Sequence, residues 1–222
     1  VNQRGRLFLL RHGQTMWSET GQYTGRTNIP LTAGGEQQAV AAGQRLRAFG
    51  ARIKSENVYV SPLRRAQKTA ELAGFSSFVV DNNMAEFDYG PAEGRTRAQI
   101  AAALGADTWN IWDIGPLNLP EELQGTRVEK IDNFGDIEVV AGVGESAHEA
   151  AVRVSELIDK VMPKLMAGED VLCVAHAHIL RILTTQWLDL LPEHARNFRL
   201  DTAHFCVLDW HHEDRVVAYW NL

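Results

Sequence analysis

The sequence is poor in the features that mark membrane, secreted disulfide-rich and nucleic-acid-binding proteins. No apolar run approaches the roughly 20 residues of a membrane helix, Leu7 to Leu10 being typical of its short runs. No small-residue cleavage site follows that run, so no secretory signal is expected. Cysteine is scarce: Cys173 and Cys206 both lie in strand-like apolar stretches and give no zinc-ligand spacing. They read as buried free thiols, and the expected compartment is the reducing cytoplasm. Basic charge is also short, with 22 Lys and Arg against 28 Asp and Glu, a net charge of −6. That balance argues against a nucleic-acid partner, which would need a basic surface. Internal repeats and low-complexity tracts are absent.

What remains is an ordinary globular composition, 45% hydrophobic and 23% charged over 222 residues, long enough for one substantial domain spanning 1–222. The charge is unevenly placed. Residues 113–145 hold eight acids against Arg127 and Lys130, so this stretch carries all of the net negative charge. It is too long for a bare connection and reads as an inserted, partly structured acidic lid. It is expected to overhang the site and disfavour highly anionic ligands.

Short apolar runs alternate with helical patterns. Strands are expected at 6–11, 57–61, 77–81 and 170–175, with a closing hairpin of 205–209 and 216–220. Helices are expected from Thr32 to Gly50, from Pro62 to about Gly74, over 98–104, from Ser146 with a disturbance near Pro163, and over 179–188. This alternation predicts an α/β three-layer sandwich: a mostly parallel central sheet with helices on both faces. Ligands of such sheets bind at the carboxyl ends of the strands. Three strands end there in polar groups: Arg11-His12, Ser61 with Arg64-Arg65, and His176.

Two histidines and two arginines gathered at one sheet edge suit a tetrahedral dianion. Arginine forks reach phosphate oxygens in pairs, and a neutral imidazole nitrogen can attack phosphorus. Gly13 would allow close backbone approach and unusual dihedrals after His12. A departing alkoxide needs a proton, and Glu86 is the leading acid.

These residues resemble the histidine phosphatase superfamily, in its phosphoglycerate-mutase-like branch. The resemblance rests on Leu10-Arg11-His12-Gly13, Ser61-Pro62-Leu63-Arg64-Arg65-Ala66, Glu86-Phe87-Asp88-Tyr89-Gly90 and Ala175-His176, in that order. The Gly21-Gln22-Tyr23-Thr24-Gly25 loop and Trp109-Asn110-Ile111-Trp112 look most like sugar-phosphate phosphatases of the sedoheptulose-bisphosphatase type and mycobacterial mutase-like phosphatases.

The resemblance implies His12 as the phosphorylated nucleophile, Arg11, Arg65 and His176 as phosphoryl ligands, and Glu86 as proton donor. Arg65, directly before Ala66, is preferred to Arg64. Thr24, Gly25 and Tyr89 match substrate-side positions, and Ser18, Gln22 and Ala177 are the further candidate contacts. Ala175 and Ala177 stand where the family often has glycine, His178 where mutases carry Asn, and Phe87 where they carry Arg. The mutases' paired arginines have no evident match near Asn110 to Gly115.

The expected activity is hydrolysis of a small phosphate monoester, a sugar phosphate or bisphosphate, through a phosphohistidine and without cofactor or metal. A phosphoglycerate mutase is the alternative, and a non-catalytic phosphate-ligand sensor a third reading. No membrane partner is expected, and a homodimer is left open. For Glu93 a structural role is preferred to that of a second acid, and His178 is divided between pocket wall and helix start.

Overall fold

The computed structural model describes residues 4–222. Its strands are β1 (Leu7–Arg11), β2 (Ile53–Val60), β3 (Val79–Val80), β4 (Gly125–Ile131), β5 (Gly135–Ala141), β6 (Asp170–Ala175), β7 (Phe205–His211) and β8 (Asp214–Tyr219). The helices are α1 (Met16–Thr20), α2 (Ala33–Ala48), α3 (Arg64–Leu72), α4 (Arg97–Ala103), α5 (Ala147–Met166) and α6 (Ala177–Trp187). The main sheet has the order β3-β2-β6-β1-β7-β8. Its first four strands are parallel, and β7 pairs antiparallel with both β1 and β8. The three-layer sandwich expected from the alternating pattern is the observed fold.

Alternation along each strand builds two cores. Leu7, Leu9, Cys173 and Ala175 face the layer of α5 and α6, while Phe8, Leu10, Leu172 and Val174 face α2 and α3. Every residue of Leu7–Leu10 is fully buried, so both faces hold β1 at the sheet centre. At roughly 1.5–3 kcal/mol per buried large apolar side chain, the run is a firm anchor for the residue that follows it, His12. Cys173 and Cys206 both pair with Leu9, from opposite neighbouring strands. Two strand spacings separate them, too far for a disulfide, and both are free and buried.

The loop after His12 lies against the start of α2. A Cβ on Gly13 would meet the Gly35 carbonyl oxygen at 2.3 Å, and one on Gly35 would meet the Gln14 carbonyl oxygen at 2.1 Å. Close approach therefore explains Gly13. The unusual dihedrals expected there are not found, since its φ lies outside the left-handed region.

Other boundaries shift modestly. Helix α3 starts at Arg64, with Pro62 outside it, and β3 shrinks to two residues. Helix α5 begins on a Ser146–Glu149 capping box and continues past Pro163 to Met166. The stretch 113–145 contains two single 3₁₀ turns and the β4–β5 hairpin, whose Ile131 and Val139 pack on Trp17 and Ile29.

Candidate active site

His12 leaves the end of β1 with its backbone N–H donating to the Ala175 carbonyl at 2.9 Å, which ties it to the end of β6. Its Nδ1 lies 2.7 Å from the Gly13 carbonyl oxygen. Burial, then the Arg65 and Arg11 charges, push its pKa well below the ordinary histidine value. The ring is therefore neutral near pH 7. A carbonyl can only accept, so Nδ1 carries the proton and Nε2 holds a free lone pair.

A cavity of about 170 Å³ opens beside it, lined by Arg11, His12, Ser18, Gln22, Thr24, Glu86, Tyr89, Ala177 and His178, among others. Arg11 donates from Nη1 to the Leu200 carbonyl at 2.7 Å. Its buried Nε has no partner. Leaving a buried donor unmet costs about 1–3 kcal/mol, a cost that an anion in the cavity would offset.

Glu86 is held across the cavity by the first turn of α6. Oε1 accepts from the backbone N–H groups of Phe87 at 2.8 Å and Ile179 at 2.9 Å, and Oε2 from that of His178 at 3.2 Å. Its own backbone is fixed by Arg153 of α5. That guanidinium donates to the carbonyls of Asn83 and Ala85, both at 2.7 Å, and to that of Glu86 at 3.3 Å. Glu145 holds Arg153 in turn, at 2.6 Å.

Arg65 and His176 lie directly behind the cavity lining. Arg65 is 1% exposed, whereas Arg64 is exposed on the helix surface. Arg65 Nε donates to His176 Nδ1 at 3.1 Å, Nη1 to Thr27 O, and Nη2 to Thr24 O and Gly25 O. Burial lowers its pKa to about 10, which still leaves it charged near neutrality. His176 is joined to Ser61 Oγ through Nε2 at 2.7 Å, so both of its ring nitrogens are engaged. It can meet a phosphoryl oxygen only by exchanging one of those bonds. The rings of His12 and His176 are 5.1 Å apart.

The remaining expected contacts divide. Ser18 Oγ caps α1 by accepting from Thr15 N, and Gln22 Nε2 donates to Gly94 O at 2.9 Å. Tyr89 Oη shares a 2.7 Å hydrogen bond with His178 Nδ1. Gly25 is set back from the cavity, its N–H bound by Glu93. Glu93 also accepts from Thr27 N and Oγ1, so it shapes the 24–27 loop. No residue of 113–145 lines the cavity, contrary to the expected overhang. The hairpin instead braces the wall from behind, with Glu129 Oε2 accepting from Gln22 Nε2 at 3.5 Å.

A larger concavity, about 870 Å³, lies at the opposite end of the sheet around Arg6, Lys54, Glu169 and Asp170. Those charges pair with one another, and no unengaged nucleophile stands there, which leaves the smaller cavity as the candidate site. Among the described residues, no three His, Cys, Asp or Glu side chains converge to hold a metal, and no helix is long and apolar enough to cross a membrane.

The profile of the histidine phosphatase superfamily (branch 1) matches residues 7–222. The chain belongs to this superfamily. An acid phosphatase of Mycobacterium tuberculosis is 34% identical over 98% of this chain and 92% of its own length. Sedoheptulose 1,7-bisphosphatase of Saccharomyces cerevisiae is 30% identical over 81% of this chain and 68% of its own. Among solved structures, that of a functionally characterised open reading frame of M. tuberculosis superposes with a TM-score of 0.79 at 32% identity, covering 98% and 97% of the two chains. Membership makes this histidine phosphatase a member of a phosphatase enzyme class.

Sequence reasoning missed Arg153, the clamp on the Glu86 loop. It stands mid-helix with no motif around it, so no local signal could have found it. His178, left divided above, lines the cavity, its ring near-parallel to those of Phe87 and Trp112 with centroids 6.3 and 5.3 Å away.

Proposed function

We propose that this histidine phosphatase hydrolyses small phosphate monoesters through a phosphohistidine on His12, with the whole chain acting as one catalytic domain. The observation that carries the reading is the pairing of a free His12 Nε2 with the unmet Arg11 Nε in a cavity faced by Glu86. Nε2 attacks phosphorus as the ester oxygen leaves, and Glu86 gives that oxygen its proton. Water then attacks the phosphohistidine, Glu86 takes the proton back, and phosphate departs. Arg11 draws the developing equatorial charge. Arg65 adds positive charge from behind and holds the 24–27 loop, and the neutral His176 reaches the phosphoryl as an Nε2–H donor by giving up Ser61. Catalysis is then positioning and charge stabilisation, as phosphoryl transfer requires.

The acid phosphatase and the bisphosphatase among its relatives support a sugar phosphate or similar metabolite as substrate. Two free buried thiols support a reducing compartment such as the cytoplasm. The test is phosphate release from a panel of sugar phosphates, run beside an assay for transfer to a second hydroxyl. Release without transfer supports hydrolysis; transfer without release contradicts it.

A further inference from the structure

Beyond Tyr23 and His178 the reaction cavity meets a second one of about 340 Å³, which shares both of those residues with it. Three arginines reach this second cavity from separate elements: Arg97 opens α4, Arg181 belongs to α6, and Arg196 lies in the 3₁₀ turn Pro192–Asn197. They are not equivalent. Arg196 is committed to Asp113 by two bonds of 2.8 and 3.2 Å. Arg97 donates to Trp109 O and Thr108 Oγ1. Arg181 donates only from Nε, to Ala195 O at 2.9 Å, and pairs with no carboxylate among the described residues. Its two terminal nitrogens therefore form an unoccupied fork.

We propose that Arg181 is the main ligand of a second anion subsite, so that the preferred substrate is a small phosphate ester bearing another anionic group, phosphate or carboxylate. This rests on the phosphatase reading above and narrows its substrate class.

Three features support it. The Arg181 guanidinium stands 5.6 Å over the Trp112 ring, which fixes the direction of its fork, and forks of this kind bind carboxylate and phosphate bidentately. Burial depresses its pKa despite the opposing influence of Tyr89, Glu86 and Tyr23, so its charge is taken partly out of water. His178 and Arg181 are three residues apart on α6 and so share a face. Arg181 and Arg11 both depress the His178 pKa, so the two cationic poles flank one imidazole. Size agrees as well. At about 340 Å³ the second cavity lies within the 300–1,000 Å³ usual for ligand pockets, and it adjoins the reaction cavity at Tyr23 and His178.

The test compares kcat/KM of the wild type and of Arg181→Gln on matched pairs: fructose 1,6-bisphosphate with fructose 1-phosphate, and 3-phosphoglycerate with glycerol 3-phosphate. The wild type is expected to prefer at least one doubly anionic member by about 10-fold or more, and the pair showing it tells phosphate from carboxylate. Arg181→Gln should erase most of that preference, chiefly through KM, and Arg181→Lys should restore part of it. Equal preference in wild type and Arg181→Gln, or none in the wild type, overturns the subsite while leaving the phosphatase reading intact. Failure of the wild type to hydrolyse any ester overturns both. Should Arg181→Gln not fold, the wild-type preference is read against added KCl. It should shrink as salt screens the contact, and a salt-independent preference overturns the proposal.

Discussion

Arg65 Nε lies 3.1 Å from His176 Nδ1, and this contact sets the protonation of the second histidine. A guanidinium can only donate, so Nδ1 accepts and Nε2 carries the proton that meets Ser61 Oγ. Burial and the Arg65, His12 and Arg11 charges hold the His176 pKa well below the ordinary value, consistent with that neutral form. The same guanidinium serves the carbonyls of Thr24, Gly25 and Thr27, so the histidine and the substrate-side loop share one support.

Arg65→Lys tests that support, because it keeps the charge and loses the fork. Buried carbonyls and His176 Nδ1 would be left unpaired, at a cost of about 3 kcal/mol in denaturant unfolding. Turnover should fall about 100-fold or more. Near-normal stability and activity in this variant would contradict the shared support.

Glu86→Gln should act according to the leaving group. Proton donation to a departing alkoxide is worth roughly 10²- to 10⁴-fold, so sugar phosphates should lose about that much in kcat/KM. An activated aryl phosphate needs no proton and should lose far less. Equal losses, measured where phosphorylation of the enzyme limits the rate, would remove Glu86 from the donor role.

Arg153→Gln should weaken the same step from a distance, because it frees the backbone of residues 83–86 while leaving Glu86 in place. The loss should fall on kcat more than on KM, and more on alkyl than on aryl esters. A uniform loss across both ester classes would mark Arg153 as a stabilising residue alone.

Stability should depend on pH through three buried neutral histidines, His12, His176 and His178, whose folded pKa values all lie well below the ordinary 6.5. The unfolded chain takes up their protons first on acidification, so their contribution is whole above about pH 6.5 and is lost as pH falls from there toward the folded values. With three such groups the slope approaches about 4 kcal/mol per pH unit at its steepest. Urea unfolding at pH 7.5, 6.5 and 5.5 measures it, and His178→Asn should remove about a third. A flat profile would show that the rings are not neutral in the folded state.

The fold and the candidate site were legible in the sequence because both follow from one regularity. Parallel strands buried on two faces read as continuous apolar runs, and the polar residues at their carboxyl ends converge whatever lies between. His12, Ser61 and His176 were found in this way. Arg153 and Arg181 arrive from helix faces, where an isolated arginine looks like any solvated charge, so nothing local marks them. The β4–β5 hairpin was hidden for another reason. On β4 Arg127 and Glu129 turn inward beside Ile131 while Val128 points outward, 65% exposed. On β5 Val140 is 55% exposed between the buried Val139 and Ala141, so apolar residues do not mark one face. Its turn signal, Asn133 and Gly135 with φ of 69° and 82°, was present but had no recognisable strands to join.

Trapping the phosphoenzyme tests the central claim most directly. The enzyme is mixed with a hydrolysed ester, quenched in alkaline denaturant within the first turnover, and mapped by mass spectrometry. One phosphoryl group should appear on His12 at Nε2, stable in alkali, lost in acid and absent from His12→Ala, which should also be inactive. Phosphate on Ser61 or on any other side chain, or turnover persisting in His12→Ala, would contradict the account.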